Sequence, residues 1–323
     1  MSTPVPLVEV VRSGFVEGRH HGSLVVLSAD GSIARWLGVP EAAMLPRSCA
    51  KPLQTVAMVR AGLPLSGELL ALACASHSGE PFHLDGVRRI LASVGLDERA
   101  LQNPPDLPLD EFEREQALRR GQQRTPLAMN CSGKHAAMLA TCVVNGWPTD
   151  SYLLPDHPLQ LAIHATVEEL TGVPVGTVAV DGCGAPLFST SLVGLARAFR
   201  RLALATEGPE ALVAQTIRDF PEWVSGTRRD EATLLRAVPG AIAKAGAEAC
   251  YAVALADGRA VALKVDDGSP RARAVVMAAA LEALEVPQER GVDAAALAST
   301  GVVTLYGGGR PVGLLRPVLQ LRA

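Results

Sequence analysis

The chain is poor in the features that mark a nucleic-acid, membrane or secreted protein. Aromatic residues fill only 4% of its 323 positions, too few to build stacking platforms for bases. Charges nearly cancel, at a formal net −3, which removes any electrostatic pull toward polyanions or an anionic membrane surface. No apolar run approaches the ~20 residues that cross a bilayer. The opening Met1-Ser2-Thr3-Pro4-Val5-Pro6 lacks the basic and then apolar stretch of a secretory signal. Six cysteines, at positions 49, 74, 131, 142, 183 and 250, are too scattered for a disulfide framework. Together these absences set the expectation of a soluble cytoplasmic protein with reduced thiols. What is present, 48% apolar and 20% charged residues, suffices for one large core or two modest lobes.

The ends of the chain read as strand and the middle as helix. Val5 to Val11 is one strand, and Leu24 to Leu27 and Ile33 to Leu37 flank Asp30-Gly31 as a hairpin. Cys250 to Leu255 and Ala260 to Val265 flank Asp257-Gly258 in the same way, and Val302 to Leu305 with Val312 to Leu314 makes a third pair around Gly307-Gly308-Gly309. Helical patterns cover Pro52 to Ala61, Glu111 to Arg120, His135 to Val144, Pro158 to Leu170, Leu192 to Ala205 and Pro270 to Leu284. Asp156-His157-Pro158 reads as a helix start, and Ala203 to Pro209 as an exposed loop. The simplest assembly is an α/β (α+β) fold in a single domain. Both chain ends form one antiparallel sheet lobe, about 1–45 plus 245–323, with a helical lobe, about 46–244, inserted between them. A cleft between the lobes is the expected place for a site.

Two stretches carry the chemistry: Arg47-Ser48-Cys49-Ala50-Lys51 and Asn130-Cys131-Ser132-Gly133-Lys134-His135. On a helix, i and i+3 share a face, so Ser48 can meet Lys51 and Cys131 can meet Lys134. A serine hydroxyl attacks only when a base takes its proton, and lysine is that base only when its own pKa is lowered. Pro46 and Pro52 bracket a constrained helix start that places Ser48 near the positive end of the dipole. Further on come Cys74-Ala75-Ser76-His77-Ser78 and, just before the strand from Cys250, Lys244-Ala245-Gly246. Ser-x-x-Lys, Ser-x-Ser and Lys-x-Gly follow the order of motifs in serine β-lactamases and penicillin-binding proteins. If Lys51, Lys134 and Lys244 converge, mutual repulsion and burial make them neutral. Ser48 with Lys51 and Ser76 with Lys244 are then the two serine–lysine pairs, and the Ser48 amide is a candidate oxyanion donor.

Cys131 and Cys183 sit in glycine-rich polar turns, unusual homes for core-filling cysteines, and with Lys134 could hold zinc through two thiolates and an amine. Asp181 either meets a substrate ammonium or forms a turn before Gly182. Arg47 either meets a substrate carboxylate or braces its loop, and His77 and His135 adjoin the motifs in structural or binding roles.

Ser48-Cys49-Ala50-Lys51-Pro52, Cys74-Ala75-Ser76-His77-Ser78, Asn130-Cys131-Ser132-Gly133-Lys134-His135, Leu154-Pro155-Asp156-His157-Pro158 and Asp181-Gly182-Cys183 together closely resemble the asparaginase II family of rhizobial type. The match runs over nearly the whole chain. The resemblance implies a β-lactamase- and glutaminase-like architecture and hydrolysis of L-asparagine to L-aspartate and ammonia. It further implies zinc on Cys131, Lys134 and Cys183, tuning substrate binding, and a homodimer. By the same resemblance Ser48, Lys51, Ser76 and Lys244 are catalytic, and Asp181 is the acidic residue beside the metal. A glutaminase or other amidohydrolase of this architecture, and a non-catalytic zinc or ligand binder, are the rival readings.

Overall fold

The computed structural model describes residues 3–320. Strands β1 (Val5–Arg12), β2 (Phe15–Leu27) and β3 (Ile33–Leu37) come first. Helices α1 (Lys51–Arg60), α2 (Gly67–Ala73), α3 (Pro81–Ala92), α4 (Glu111–Arg119), α5 (Ser132–Val144) and α6 (Pro158–Thr171) follow. A small hairpin, β4 (Val178–Val180) and β5 (Pro186–Phe188), precedes α7 (Leu192–Leu204), α8 (Gly208–Asp219), α9 (Pro221–Val224) and α10 (Asp230–Ala237). Then come β6 (Ile242–Gly246), β7 (Cys250–Ala254), β8 (Ala260–Val265), α11 (Pro270–Ala283), α12 (Ala294–Thr300), β9 (Thr304–Gly307) and β10 (Arg310–Pro317).

The large sheet has the order β6-β7-β8-β2-β1-β10-β9, with β3 also paired to β2. Every pairing in it is antiparallel, and Val10 of β1 faces Leu315 of β10, so the two chain ends do share one sheet. This confirms the expected α+β architecture. The chain divides into two compact units. The sheet unit takes the chain up to Cys49, Thr190–Leu204 and the chain from Thr233 on; the helical unit takes Ala50–Ser189 and Ala205–Ala232. Helix α7, read from sequence as part of the helical lobe, therefore belongs with the sheet, where it packs on β2, β7 and β8. Helix α11 also packs on β7 and β8. All five residues of β7 and five of the six in β8 are buried, so both faces of the sheet are covered there. Along the first half of β2 burial alternates with exposure, leaving one face in water.

In the helical unit, α5 is buried from Ser132 through Cys142 and is packed by α1, α2, α3 and α6. A helix apolar all round is the sequence signature of such a central position. Met138 and Leu139, both fully buried, each contribute roughly 2 kcal/mol of apolar burial. Local chemistry sets the helix starts. Pro52 and Pro158 lie in first turns, where a missing N–H costs nothing. His157 caps α6 by accepting from the Leu159 amide at 3.1 Å, as the Asp-His-Pro run led one to expect.

Three local expectations change. Strand β2 starts at Phe15, well before Leu24, because Glu17, Arg19 and His21 put polar side chains on its open face and hide the strand from a search for apolar runs. Lys244 lies inside strand β6, not in a loop before the next strand. The loop expected at Ala203 to Pro209 shrinks to Ala205–Glu207: α7 runs to Leu204, Ala203 is buried, and Pro209 occupies the first turn of α8. Among the described residues, no helix is long and apolar enough to cross a membrane.

Candidate active site

Two serine–lysine arrangements emerge, one in each unit. In the sheet unit, Arg47–Ala50 forms a single 3-10 turn that runs straight into α1 at Lys51. Arg47 has φ 49°, a left-handed conformation that costs a non-glycine residue about 1 kcal/mol or more. Its guanidinium lies 3.6 Å from Glu248, which braces the turn. Ser48 is 8% exposed, and among the described residues neither its hydroxyl nor its amide has a hydrogen-bond partner. The backbone of β6 comes up against this turn at Gly246. A Cβ there would lie 3.1 Å from Pro46 O and 3.2 Å from the amide nitrogens of Ser48 and Cys49. Lys244, two residues earlier, sits on the same face of the strand. The Cys49 thiol reaches the Lys244 carbonyl at 3.0 Å, and Lys244 Nζ is fully buried and donates to Ala245 O at 2.8 Å. The motif Lys-x-Gly thus acquires a physical meaning, with the glycine as the close approach that brings the lysine's strand to the serine.

In the helical unit, Lys51 Nζ is buried and donates to Ala75 O at 2.5 Å, Ser76 Oγ at 3.0 Å and Cys131 Sγ at 3.2 Å. Three acceptors match the three hydrogens of an ammonium. The helix spacing pointed from Lys51 back to Ser48; the hydrogen bond to Ser76 was not foreseen. Ser76 is committed at its backbone too, since its amide donates to Val224 O at 3.1 Å.

His77 lies wholly inside the protein. Ser132 Oγ donates to Leu127 O at 2.7 Å and so accepts from His77 Nε2 at 2.8 Å. The His77 ring stacks on His83 with centroids 5.2 Å apart. Burial, then the fields of His83 and Lys51, hold its imidazole neutral, well below the usual range. His77 has no exposed surface.

The second group gathers around α5. Cys131 is its N-cap residue and Lys134 lies in its first turn, while Asp181 and Cys183 sit in the turn of the β4–β5 hairpin. Lys134 Nζ donates to Cys183 Sγ at 3.1 Å, and Asp181 Oδ2 is 3.6 Å from the same sulfur. Asp181 also forms the turn, accepting from the Gly182 amide at 2.9 Å. The Cys183 thiol pKa is pushed far down, first by a hydrogen bond from Cys131 and then by the Lys134 ammonium. Cys131 moves the other way: its hydrogen bond to Cys183 and its burial keep it protonated. Burial pulls Lys134 down, but the sulfurs of Cys183 and Cys131 and the Asp181 carboxylate outweigh it and raise its pKa. The expectation that converging lysines become neutral therefore fails at Lys134, because the Cys183 thiolate and the Asp181 carboxylate, rather than other ammoniums, are the charges beside it.

Two contributors escaped the sequence reading. Asn130 Oδ1 lies 3.0 Å from Cys131 Sγ. Tyr152, one of only three tyrosines, is fully buried with its hydroxyl 2.7 Å from His135 Nδ1. A tyrosine just ahead of the Asp-His-Pro helix start was the available signal. Two sulfurs and an amine within reach of one another form a donor set that suits zinc. Among the described residues no group of three or more His, Cys, Asp or Glu side chains could hold a metal, so such a site depends on Lys134.

A serine hydrogen-bonded by a buried lysine, as Ser76 is by Lys51, is one arrangement that amide hydrolysis can use. The family model described as L-asparaginase II matches residues 8–317, and the chain belongs to that family. No curated protein is similar enough to match. Solved structures that resemble the chain include a β-lactamase, Mb2281c, from Mycobacterium bovis (14% identity, 77% of this chain and 88% of that one, TM-score 0.41). Others are Mglu in its tris and glutamate form (15%, 87% and 64%, TM-score 0.37) and a Bacillus glutaminase in 4.3 M NaCl (12%, 82% and 91%, TM-score 0.37).

Proposed function

We propose that the protein is an L-asparaginase that hydrolyses L-asparagine to L-aspartate and ammonia through a covalent seryl intermediate. Family membership supports the reaction class. The observation that carries the mechanism is Ser48, whose hydroxyl and amide are both unengaged in a strained turn held against the strand of Lys244. In this reading the hydroxyl meets a carbonyl carbon, and the amide the oxygen that becomes negative. Ser48 attacks the side-chain carboxamide while the Lys244 amine takes its proton. The tetrahedral intermediate collapses, the C–N bond breaks, and the lysine returns that proton to the leaving ammonia. Water then attacks the aspartyl ester with the same amine as base, releasing aspartate and restoring Ser48. Ser76, whose hydroxyl accepts from Lys51 Nζ, is assigned the proton relay in this reading.

Asp181 supplies the charge that suits the substrate ammonium. Zinc, where bound, is held by Cys131, Lys134 and Cys183 and supplies a fixed positive charge that tunes affinity for an anionic substrate group. A homodimer belongs to the same reading and is tested by sedimentation.

Coupled ammonia assays on asparagine, glutamine and nitrocefin, with and without chelator, test the proposal. Asparagine turnover by the wild type, its loss in Ser48→Ala, and a chelator effect on KM more than on kcat are expected. Preference for glutamine or nitrocefin would replace the substrate. Retained turnover in Ser48→Ala with loss in Ser76→Ala would move the attack to Ser76.

A further inference from the structure

The Ser76 segment is tied to a second stretch of chain that has no place in the chemistry so far. From Ser76 to Glu80 it runs beside Val224 to Thr227, and three rungs join them. The Ser76 amide donates to Val224 O at 3.1 Å, and Ser78 Oγ donates to Ser225 O at 3.0 Å. At the far end the Glu80 carboxylate accepts from the Thr227 amide at 2.9 Å and from Thr227 Oγ1 at 2.7 Å. Glu80 occupies the N-cap position of α3, where a carboxylate ordinarily satisfies its own helix's amides, yet it makes no capping hydrogen bond. It is 6% exposed, and its side-chain hydrogen bonds go to Thr227. Between the rungs, Gly226 has φ 150°, and a Cβ there would fall 1.9 Å from Ser78 Oγ and 2.9 Å from Glu80 Oε1. A side chain at 226 would collide with those of Ser78 and Glu80, and only glycine fits.

We propose that Glu80 and Thr227 are positioning residues for the Ser76–Lys51 pair. Their double hydrogen bond locks residues 224–227 in place, and the Val224 carbonyl in turn holds the Ser76 amide, fixing Ser76 Oγ where Lys51 Nζ reaches it. Neither residue touches the reacting atoms. A brace of this kind acts on the rate constant because reacting groups displaced by about 1 Å lose up to a hundredfold in rate. The inference rests on the proposed asparaginase chemistry for its kinetic consequence, but its structural half stands apart from it.

The test uses the full chain with Glu80→Ala, Glu80→Gln, Thr227→Val and Thr227→Ser. Glu80→Ala, which removes both hydrogen bonds, should lower kcat on asparagine by about tenfold to a hundredfold, and Thr227→Val, which removes the Oγ1 bond and keeps that of the amide, by about tenfold, each with KM changed less than about threefold. Thr227→Ser and Glu80→Gln, which keep a side-chain hydrogen bond across the gap, should stay within about threefold of wild type. Amide hydrogen exchange should show faster exchange at residues 74–79 in the two damaging variants, with α5 unchanged. Unchanged kcat in Thr227→Val, a Thr227→Ser variant as slow as Thr227→Val, or unaltered exchange at residues 74–79 would overturn the proposal. Should Glu80→Ala fail to fold, Thr227→Val carries the test, since its shape is kept. Should the wild type release no ammonia, the asparaginase reading falls, while the exchange comparison still decides whether the brace exists.

Discussion

Replacing Gly246 by alanine separates catalytic positioning from stability. The new Cβ would lie 3.1 Å from Pro46 O and 3.2 Å from the Ser48 and Cys49 nitrogens, against ~3.5 Å for a comfortable contact. The Ser48 turn must withdraw by about 0.3 Å to make room. If a misplacement of about 1 Å costs about a hundredfold, a third of that on a logarithmic scale costs roughly fivefold in kcat. Overpacking at the mild end costs about 1 kcal/mol. Alanine in a strand recovers about 0.5–1 kcal/mol over glycine. The two nearly cancel, so the melting temperature should move by less than about 2 °C. Ammonia release and thermal denaturation on the same preparation give both numbers. Gly246→Val, with two more methyl groups at the contact, should lose considerably more activity. A Gly246→Ala enzyme with wild-type kcat would show that the position of the Ser48 turn does not govern the rate, and the role given to Ser48 would go with it.

Two further outcomes concern the buried polar groups of the helical unit. Burial holds the His83 imidazole neutral, with its pKa pushed down to about 4. The unfolded chain takes up that proton below ~6.5, so the contribution of His83 to stability is complete above that pH and is lost as pH falls toward 4. Urea denaturation at pH 7.5 and pH 5 should show a loss that is smaller by about 2 kcal/mol in His83→Gln, the rest belonging to groups such as His77 and His135 whose pKa values are also lowered; an equal loss in that variant would refute the assignment. Tyr152→Phe removes the hydroxyl that lies 2.7 Å from His135 Nδ1 and accepts from the Gln102 amide, leaving buried polar groups unmet, which should cost about 1–3 kcal/mol in denaturant titrations. A cost near zero would mean that they find other partners.

The parts of the fold that sequence reveals are those decided by neighbours along the chain. Pro46, Pro52 and Pro158 mark helix starts because proline acts on its own φ and its own missing N–H. The Asp30-Gly31 and Asp257-Gly258 hairpins announce themselves for a similar reason. Helix α5 was legible as a uniformly small and apolar run. By contrast, the first half of β2 carries polar residues on a face that only the finished sheet leaves in water. Lys244 interrupts an otherwise apolar strand, and nothing near it in sequence says that Gly246 will press on Pro46 and Ser48. The hydrogen bond from Lys51 to Ser76 spans 25 positions and depends on how α1 and α2 pack. That packing is a tertiary fact with no local signature.

The same distinction explains why the two i, i+3 spacings were informative and yet misread. Each suggested that a lysine serves the nucleophile or ligand three residues before it. What the spacing secures is that both groups leave the start of one helix within a single turn of each other. Where each then goes is set by the elements packed around that turn. At α5, Lys134 turns to Cys183 on the β4–β5 hairpin, while Cys131 receives Lys51 from α1. Each lysine therefore serves a group from elsewhere in the helical unit. Cys131 accepts from Lys51, and its hydrogen bond to Cys183 and its burial keep it protonated, so one sulfur lies between the Lys51–Ser76 pair and the Lys134–Cys183 pair. No count of residues between serine and lysine could disclose that placement.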